Sequence, residues 1–87
     1  MRSKYIIGEV ETDSICMELM VAVIFPESLP HVDVARKLFV EGSIISAGFV
    51  GFDQDGKPFS YGDSVSLRVE SRGTKDQRLL EVALGMR

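Results

Sequence analysis

The amino-acid sequence predicts a single α+β domain, residues 1–87, in which a four-stranded, mainly antiparallel sheet carries two helices on one face. The predicted element order is strand–strand–helix, repeated once. Stretches rich in Val and Ile that end at Pro, Gly or Asp are typical of strands. Two other stretches, in which apolar residues recur every three or four positions, are typical of helices. A chain of 87 residues has the length of one domain.

The first two strands are predicted to form a hairpin. The first is the short segment Lys4–Glu11, and a turn at Glu11–Ser14 leads into the second, Ile15–Phe25. This second run contains a single charge, Glu18, yet it is too short to cross a bilayer, which takes about 20 apolar residues. Pro26 ends the strand, because proline has no N–H group to donate to a neighbouring strand.

The next segment has the spacing of an amphipathic helix, predicted to run from Pro30 to Glu41. Proline fits the first turn of a helix, where a backbone N–H has no partner in any case. At 100° per residue the apolar side chains fall in one stripe, with most charged ones opposite. The apolar stripe consists of Val32, Val34, Ala35, Leu38 and Phe39. Gly42 is positioned to end this helix.

The second half begins with a predicted strand, Ser43–Phe52, in which Gly48 and Gly51 suggest a bulge or a close approach of another segment. Asp53–Gly56 is a predicted turn, because an Asp-Gly pair readily adopts positive φ. The segment Ser64–Glu70 alternates apolar and polar residues, which predicts a half-buried fourth strand. Its inward-facing residues are predicted to be Val65, Leu67 and Val69.

The last element is a predicted helix, Thr74–Leu84. Thr74 and Gln77 have the spacing of a capping box, in which side chains bond to otherwise unpaired N–H groups. Gly85 can end the helix. The whole predicted core comprises Ile15 or Met17, with Leu19, Val21, Val23, Ala35, Leu38, Phe39, Val65, Leu67, Val69, Leu80, Ala83 and Leu84.

The strand Ile15–Phe25 is apolar on both of its faces, and a strand of this kind needs cover on both. Two helices on one face would leave the other free, which predicts an interface and a homodimer. The predicted interface residues are Cys16, Glu18, Met20, Ala22 and Ile24. Glu18 is either a solubilising charge or a polar contact within that interface. The alternative to a dimer is that the loop Phe52–Gly62 folds over the free face.

Composition narrows the classes of function. The net charge of −3 and the pI near 5.0 argue against a surface built for phosphate backbones or anionic membranes. One cysteine, Cys16, allows neither an intrachain disulfide nor a multi-cysteine zinc site. The first residues contain no apolar run of the kind that a secretory signal needs. We therefore expect a cytoplasmic protein that makes no contact with membranes.

One resemblance accompanies these patterns. The segment Tyr61–Arg72, together with Ile45–Val50, resembles small open reading frames of bacteriophages and prophages, and the likeness extends from about Arg36 to Leu84. The resemblance implies an accessory protein whose partner is a host or phage protein. It implies no catalytic or ligand-binding residue.

No motif predicts catalysis, a cofactor or a metal. Cys16 and His31 could form a nucleophile pair only if the fold brought them together, and no third residue stands out to orient them. Asp53, Asp55 and Asp63 suggest calcium, but an EF-hand alignment places glycines where the first and last carboxylates are required. The glycines follow no phosphate-loop pattern. We expect no catalytic residues, no cofactor and no metal site.

A basic group near the end of the chain leaves a second function open. It consists of Arg68, Arg72, Lys75 and Arg78. Glu70, Asp76 and Glu81 lie between and around these residues, so a solvated surface of mixed charge is the simpler interpretation. The sequence therefore favours a small non-enzymatic, protein-binding accessory module, with nucleic-acid binding through the basic group as the alternative.

Overall fold

A computed structural model describes residues 2–11, 18–40 and 42–86, with the backbone alone at Glu11 and Glu18. It contains six strands and two helices in this part of the chain. The strands are β1 (Ser3–Glu11), β2 (Glu18–Pro26), β3 (Ile44–Phe52), β4 (Pro58–Tyr61), β5 (Asp63–Ser64) and β6 (Val69–Glu70). The helices are α1 (His31–Leu38) and α2 (Thr74–Ala83). The predicted α+β class is confirmed.

The main sheet has four antiparallel strands in the order β2-β1-β3-β4. β1 and β2 form the predicted hairpin, with Ser3 opposite Pro26 and Glu11 opposite Glu18. β1 also pairs with β3, so it lies inside the sheet. Because β2 and β3 are both antiparallel to β1, they run parallel to each other. The segment β2–α1–β3 is therefore a crossover that passes over β1.

The two helices cover opposite faces of the sheet, so the prediction of two helices on one face is wrong. Consecutive strand residues point to opposite faces. Tyr5 and Ile7 pack with Leu80 of α2, whereas Ile6 packs with Ala35 of α1. Tyr5, Ile6 and Ile7 are all completely buried. The spacing within a helix shows which side is apolar, but the handedness of the connections determines which sheet face that side covers.

The fourth strand of the main sheet is Pro58–Tyr61, and the prediction of a strand over Ser64–Glu70 is wrong. That segment instead folds into a small hairpin in which β5 pairs with β6. The Ser64 hydroxyl accepts a hydrogen bond from the Leu67 N–H, and Arg68 has a φ of 58°. Side chains that bond to the local backbone favour turns over extended structure. The alternation of apolar and polar residues in this segment therefore belongs to a turn and not to a long strand. Val65, predicted to face inward, is 83% exposed.

Both helices are shorter than predicted at one or both ends. α1 ends at Leu38, and Gly42 lies beyond it with a φ of 86°. The predicted capping box at Thr74 does not form. The N-cap residue is Gly73, and no side chain makes a capping hydrogen bond there. Gly85 does end α2 as predicted. Its N–H bonds to Val82, and the following N–H bonds to the Glu81 carbonyl, the paired hydrogen bonds of a Schellman motif.

The turn between β3 and β4 lies where the sequence predicts it. The Asp53 carboxylate accepts hydrogen bonds of 2.9 Å from the N–H groups of Asp55 and Lys57, and Gly56 has a φ of 79°. Gly51 permits the predicted close approach, because a Cβ there would lie 2.5 Å from the Phe59 ring. The aspartate that suggested calcium thus stabilises the turn.

The core is centred on β1 and β3, whereas the prediction drew it from the second strand, the two helices and the segment Ser64–Glu70. Ala35, Leu80, Val23 and Phe39 belong to it or pack against it, as predicted. Leu67 and Val69 also contribute, but only as half-buried residues. Several predicted core residues are exposed instead: Leu19, Val21, Leu38, Val65, Ala83 and Leu84. Ile15 and Met17 lie outside the described residues.

Substitutions to alanine should lower the free energy of unfolding in proportion to how deeply each side chain is buried. Leu80→Ala removes a fully buried side chain, and we expect it to lower the free energy of unfolding by about 2–5 kcal/mol. Leu67→Ala should cost less, because Leu67 is only partly buried. Val65→Ala should stay within about 0.5 kcal/mol of the wild type. Urea unfolding measures all three, and a Val65→Ala loss as large as that of Leu80→Ala would contradict this fold.

Candidate protein-binding edge

β2 is an open edge of the main sheet. Among the described residues, no strand pairs with β2 on the side away from β1. β2 is nine residues long, and its segment from Leu19 to Phe25 has no charged side chain. Long, uncharged edge strands are templates for pairing with another chain. We call the outward-facing backbone of residues 18–26 the β2 edge.

The opposite edge of the sheet is protected. β4 has only four residues, and Pro58 is its first residue. The N–H of Asp53 bonds to the Lys57 carbonyl. By alternation, the backbone of Phe59 bonds to β3 and the backbone of Pro58 is directed away from β3, while the Pro58 side chain is fully buried. A proline there leaves no outward N–H to pair. Short length and an edge proline both discourage pairing with another strand. β2 also has a terminal proline, Pro26, but with nine residues it is more than twice as long as β4.

The hydrogen-bond pattern identifies which β2 groups are free to pair. The N–H of Glu27 bonds to the carbonyl of Arg2, which lies directly opposite. Hydrogen-bonded and non-hydrogen-bonded pairs alternate along an antiparallel ladder. The odd-numbered residues of β2 therefore bond to β1, and the even-numbered ones direct both N–H and C=O outward. The outward residues with both groups available are Glu18, Met20, Ala22 and Ile24. Pro26 has no N–H, and its carbonyl accepts the N–H of Leu29.

Exposed apolar side chains surround the β2 edge on both faces. Leu19 and Met20 are each 47% exposed, and Val21 is 36% exposed. On the α1 face, an apolar groove lies between β2 and α1, with exposed Leu29 and Leu38 in its lining. On the opposite face, α2 begins beside β4, where Ser60 bonds to Gly73, and continues over β1 to β2. The exposed Val82 belongs to its final turns.

The five residues predicted as an interface have different placements. Cys16 lies outside the described residues, and Glu18 is described by its backbone alone. Ala22 and Ile24 are half-buried against the cluster under α2, so the apolar sheet face that they were predicted to present is already covered. Only Met20 is substantially exposed through its side chain. What the residues from 18 to 24 share is the open backbone edge, which side-chain patterns alone did not indicate.

The structure spreads the predicted basic group over two elements and mixes it with acids. Arg68 and Arg72 line one shallow groove with Asp63 and Glu70. The Arg72 Nε donates a 2.7 Å hydrogen bond to Asp76, so this guanidinium is already paired. Lys75 and Arg78 are exposed on α2. Carboxylates beside the arginines weaken the attraction of this surface for phosphates.

Asp76 is the centre of a buried hydrogen-bond network on the α2 face. Its carboxylate accepts a 2.6 Å hydrogen bond from the Tyr5 hydroxyl and a 3.0 Å bond from the Arg72 backbone N–H, besides the bond from Arg72 Nε. Burial raises the pKa of Asp76, but the hydrogen bonds from Tyr5 and Arg72 hold it below its usual value. Burial, followed by the bond to Asp76, raises the pKa of Tyr5.

His31 is buried on the α1 face of the sheet. Its Nε2–H donates a 2.9 Å hydrogen bond to the Gly48 carbonyl, and its ring makes edge contacts with Phe25 and Phe49 at 5.5 and 6.0 Å between centroids. Burial lowers the pKa of His31, although the Gly48 carbonyl partly offsets this. The imidazole is therefore neutral at pH 7, and its role is packing and anchoring of the α1 N-terminus.

The titratable groups with shifted pKa values do not converge on one cleft. Tyr5 and Asp76 lie between the sheet and α2, whereas His31, the first residue of α1, lies on the other face of the sheet. In the described ranges, His, Cys, Asp and Glu side chains do not gather in groups of three that could hold a metal ion. Neither of the two described helices has the length and apolar character to cross a membrane.

Comparison with protein-family models, with curated proteins and with solved structures found no match. The resemblance of Tyr61–Arg72 to bacteriophage reading frames therefore stays a prediction. The assignment of a function to the chain has to depend on the geometry described above.

Hydrogen exchange should distinguish the two sides of β2. At low protein concentration, the outward N–H groups of Met20, Ala22 and Ile24 should exchange with solvent much faster than those of Val21 and Val23, which bond to β1. Residue-resolved NMR exchange measures this difference. Equal protection of the two sets at every dilution would mean that the β2 edge is covered within the single chain.

Acid should destabilise the domain in two stages. His31 has a lowered pKa when folded, so the unfolded state takes up its proton first and stability should begin to fall below about pH 6.5. Asp76 also has a lowered pKa, so the stability that it contributes is present above about pH 3.9 and is lost below that value.

Two variants assign these stages in urea unfolding measured from pH 8 to pH 3. His31→Gln should flatten the first stage, and Asp76→Asn should flatten the second while lowering stability at pH 7 by about 1.5–3 kcal/mol. Tyr5→Phe is the matched control for Asp76→Asn, since it removes one bond of the network but keeps the charge. If His31→Gln leaves the slope between pH 6.5 and pH 5 unchanged, the assignment of His31 is wrong.

Proposed function

We propose that this chain is a non-enzymatic protein-binding module that recruits its partner along the β2 edge. The observation that carries the proposal is the contrast between the two edges of the sheet. β4 has four residues, whereas β2 has nine, and the seven from Leu19 to Phe25 carry no charge. A polypeptide strand that adds to such an edge gains backbone hydrogen bonds together with contacts to alternate side chains.

Side-chain contacts would add to this backbone pairing. Met20 on one face and Leu19 and Val21 on the other are partly exposed beside the edge. The groove next to α1 is predominantly apolar and has Asp33 and Lys37 among its lining residues. An apolar centre with polar surroundings is the usual anatomy of a protein interface.

The distribution of titratable groups supports a binding role over a catalytic one. Tyr5, His31 and Asp76 serve the packing of the two helices, and each makes hydrogen bonds within the fold, His31 through Nε2. Enzymes usually combine perturbed groups in one accessible pocket. Here the perturbed groups are buried on opposite sides of a sheet.

The bacteriophage resemblance agrees with an accessory role in the cytoplasm, in which a host or phage protein would be the partner. This part of the proposal is an analogy of sequence and not of structure. The alternative function, nucleic-acid binding, would use Arg68, Arg72, Lys75 and Arg78. Pairing of Arg72 with Asp76 makes it the weaker candidate.

Affinity capture with a matched pair of variants tests the proposal. The bait is the wild-type chain, Met20→Lys or Val65→Lys, exposed to lysate with and without phage proteins. Met20→Lys adds a charge beside the β2 edge, so it should abolish capture of any protein that binds there. Val65→Lys adds the same charge at a more exposed apolar residue on the hairpin and should leave capture intact.

The opposite outcome is equally well defined. If no protein is captured and the chain binds single- or double-stranded nucleic acid with affinity that falls steeply with salt, the protein-binding proposal should be abandoned. Lys75→Ala and Arg78→Ala should then weaken that binding, because both side chains are exposed. Met20→Lys should not weaken it.

A further inference from the structure

The geometry points to a second copy of this chain as the occupant of the β2 edge. We propose a symmetric dimer in which the two β2 strands pair antiparallel and join the two main sheets into one continuous sheet. The inference rests on the proposed function, because it assigns the partner of the same edge. It replaces the dimer through a sheet face that the sequence suggested, since α2 already covers that face.

The outward backbone groups determine the register of this pairing. Residues that face outward must lie opposite one another to exchange hydrogen bonds. Full overlap of Glu18–Pro26 with its copy places the two-fold axis at Ala22, which then lies opposite Ala22 of the second copy. Met20 lies opposite Ile24. Glu18 lies opposite Pro26, whose carbonyl already accepts the Leu29 N–H, so the central pairs from Met20 to Ile24 supply the hydrogen bonds between the two copies. A shift of one residue would oppose outward groups to inward ones, and a shift of two would shorten the overlap.

This register brings only apolar side chains together between residues 19 and 25. On the α1 face, Leu19 meets Phe25 of the second copy, and Val21 meets Val23. On the α2 face, Met20 meets Ile24, and the small side chain of Ala22 lies at the axis. Cross-strand pairs of this kind stabilise a sheet. When a strand pairs with its own copy, like charges that oppose each other are the usual obstacle. Residues 19–25 carry no charge, so this obstacle is missing here.

The surroundings of the edge distinguish a second copy from a single peptide strand. An added peptide would satisfy the backbone of β2 but would leave the exposed Leu29 and Leu38, which line the groove between β2 and α1, in water. A second copy brings its own α1 and α2 up to the axis, one on each side of the joined sheet. The apolar residues that flank the edge on both faces then approach those of the partner, in an isologous contact.

The oligomeric state tests the proposal directly. Analytical ultracentrifugation of the full chain across micromolar concentrations should give a reversible monomer–dimer equilibrium. Ala22→Pro removes the outward N–H at the axis while keeping a residue that an edge strand tolerates. It should raise the dimer dissociation constant by about tenfold or more, as should Met20→Lys. Val65→Lys should leave the constant unchanged, and circular dichroism should confirm that all three variants fold.

Cross-linking tests the register. In a hydrogen-bonded antiparallel pair the Cα atoms lie about 5.5 Å apart, a distance that suits a disulfide. With Cys16→Ser as the background, Ala22→Cys should form a covalent dimer under mild oxidation at low protein concentration. Val65→Cys, which is more accessible, should not. A stable dimer that resists cross-linking at position 22 would overturn the proposed pairing.

Failure of this inference differs from failure of the proposed function. If the chain stays monomeric at every concentration but captures another protein in a manner that Met20→Lys abolishes, the β2 edge binds a different partner and the dimer is wrong. If neither self-association nor capture responds to Met20→Lys and Ala22→Pro, both proposals fall. A dimer that is indifferent to Ala22→Pro would overturn the inference as well.

Discussion

The need to bury β1 on both of its faces determines the architecture of this domain. Tyr5, Ile6 and Ile7 are consecutive and completely buried, and consecutive strand residues point in opposite directions. A single layer of helices would leave Ile6 or its two neighbours in water. The chain therefore forms three layers, with α1 on one face, α2 on the other and the sheet between them. Both helices are required for the faces, so neither remains to cover the edge at β2.

The α2 layer is held by polar contacts as well as by apolar packing. Leu80 packs on β1. Asp76, one helical turn before Leu80, accepts a hydrogen bond from the hydroxyl of Tyr5, which also belongs to β1. A buried carboxylate is strongly unfavourable unless hydrogen bonds satisfy it, and here Tyr5 and Arg72 supply them. Asp76 also lies in the first turn of α2, where the helix dipole stabilises a negative charge. The network ties the start of the helix to the central strand in one orientation.

The consequence for function lies in the difference between the two ends of the sheet. The β3–β4 hairpin closes one end with a short strand, a proline whose backbone is directed away from β3 and the Phe59 ring packed over Gly51. β2 closes the other end with nine residues whose alternate backbone groups meet no strand within the described ranges. Soluble proteins usually blunt such an edge with charges or irregularities. The run without charge from Leu19 to Phe25, with apolar side chains on both flanks, is consistent with the pairing proposed for this edge.

The sequence by itself determined the class of fold, the β1–β2 hairpin, the turn at Asp53–Gly56 and the glycine end of α2, because each depends on residues close in the chain. Tertiary structure alone decided that the helices lie on opposite faces and that β2 lies at an edge of the main sheet. Those features depend on how the crossover passes over β1 and on which residues of β2 bond to β1. The periodicity of apolar side chains in the sequence gives no information on either point. The segment Ser64–Glu70 illustrates the limit, since its alternation is equally compatible with a strand and with a turn closed by the Ser64 hydroxyl. Tyr5 and Asp76 show it again, because their hydrogen bond joins residues at opposite ends of the chain, which no local pattern can bring together.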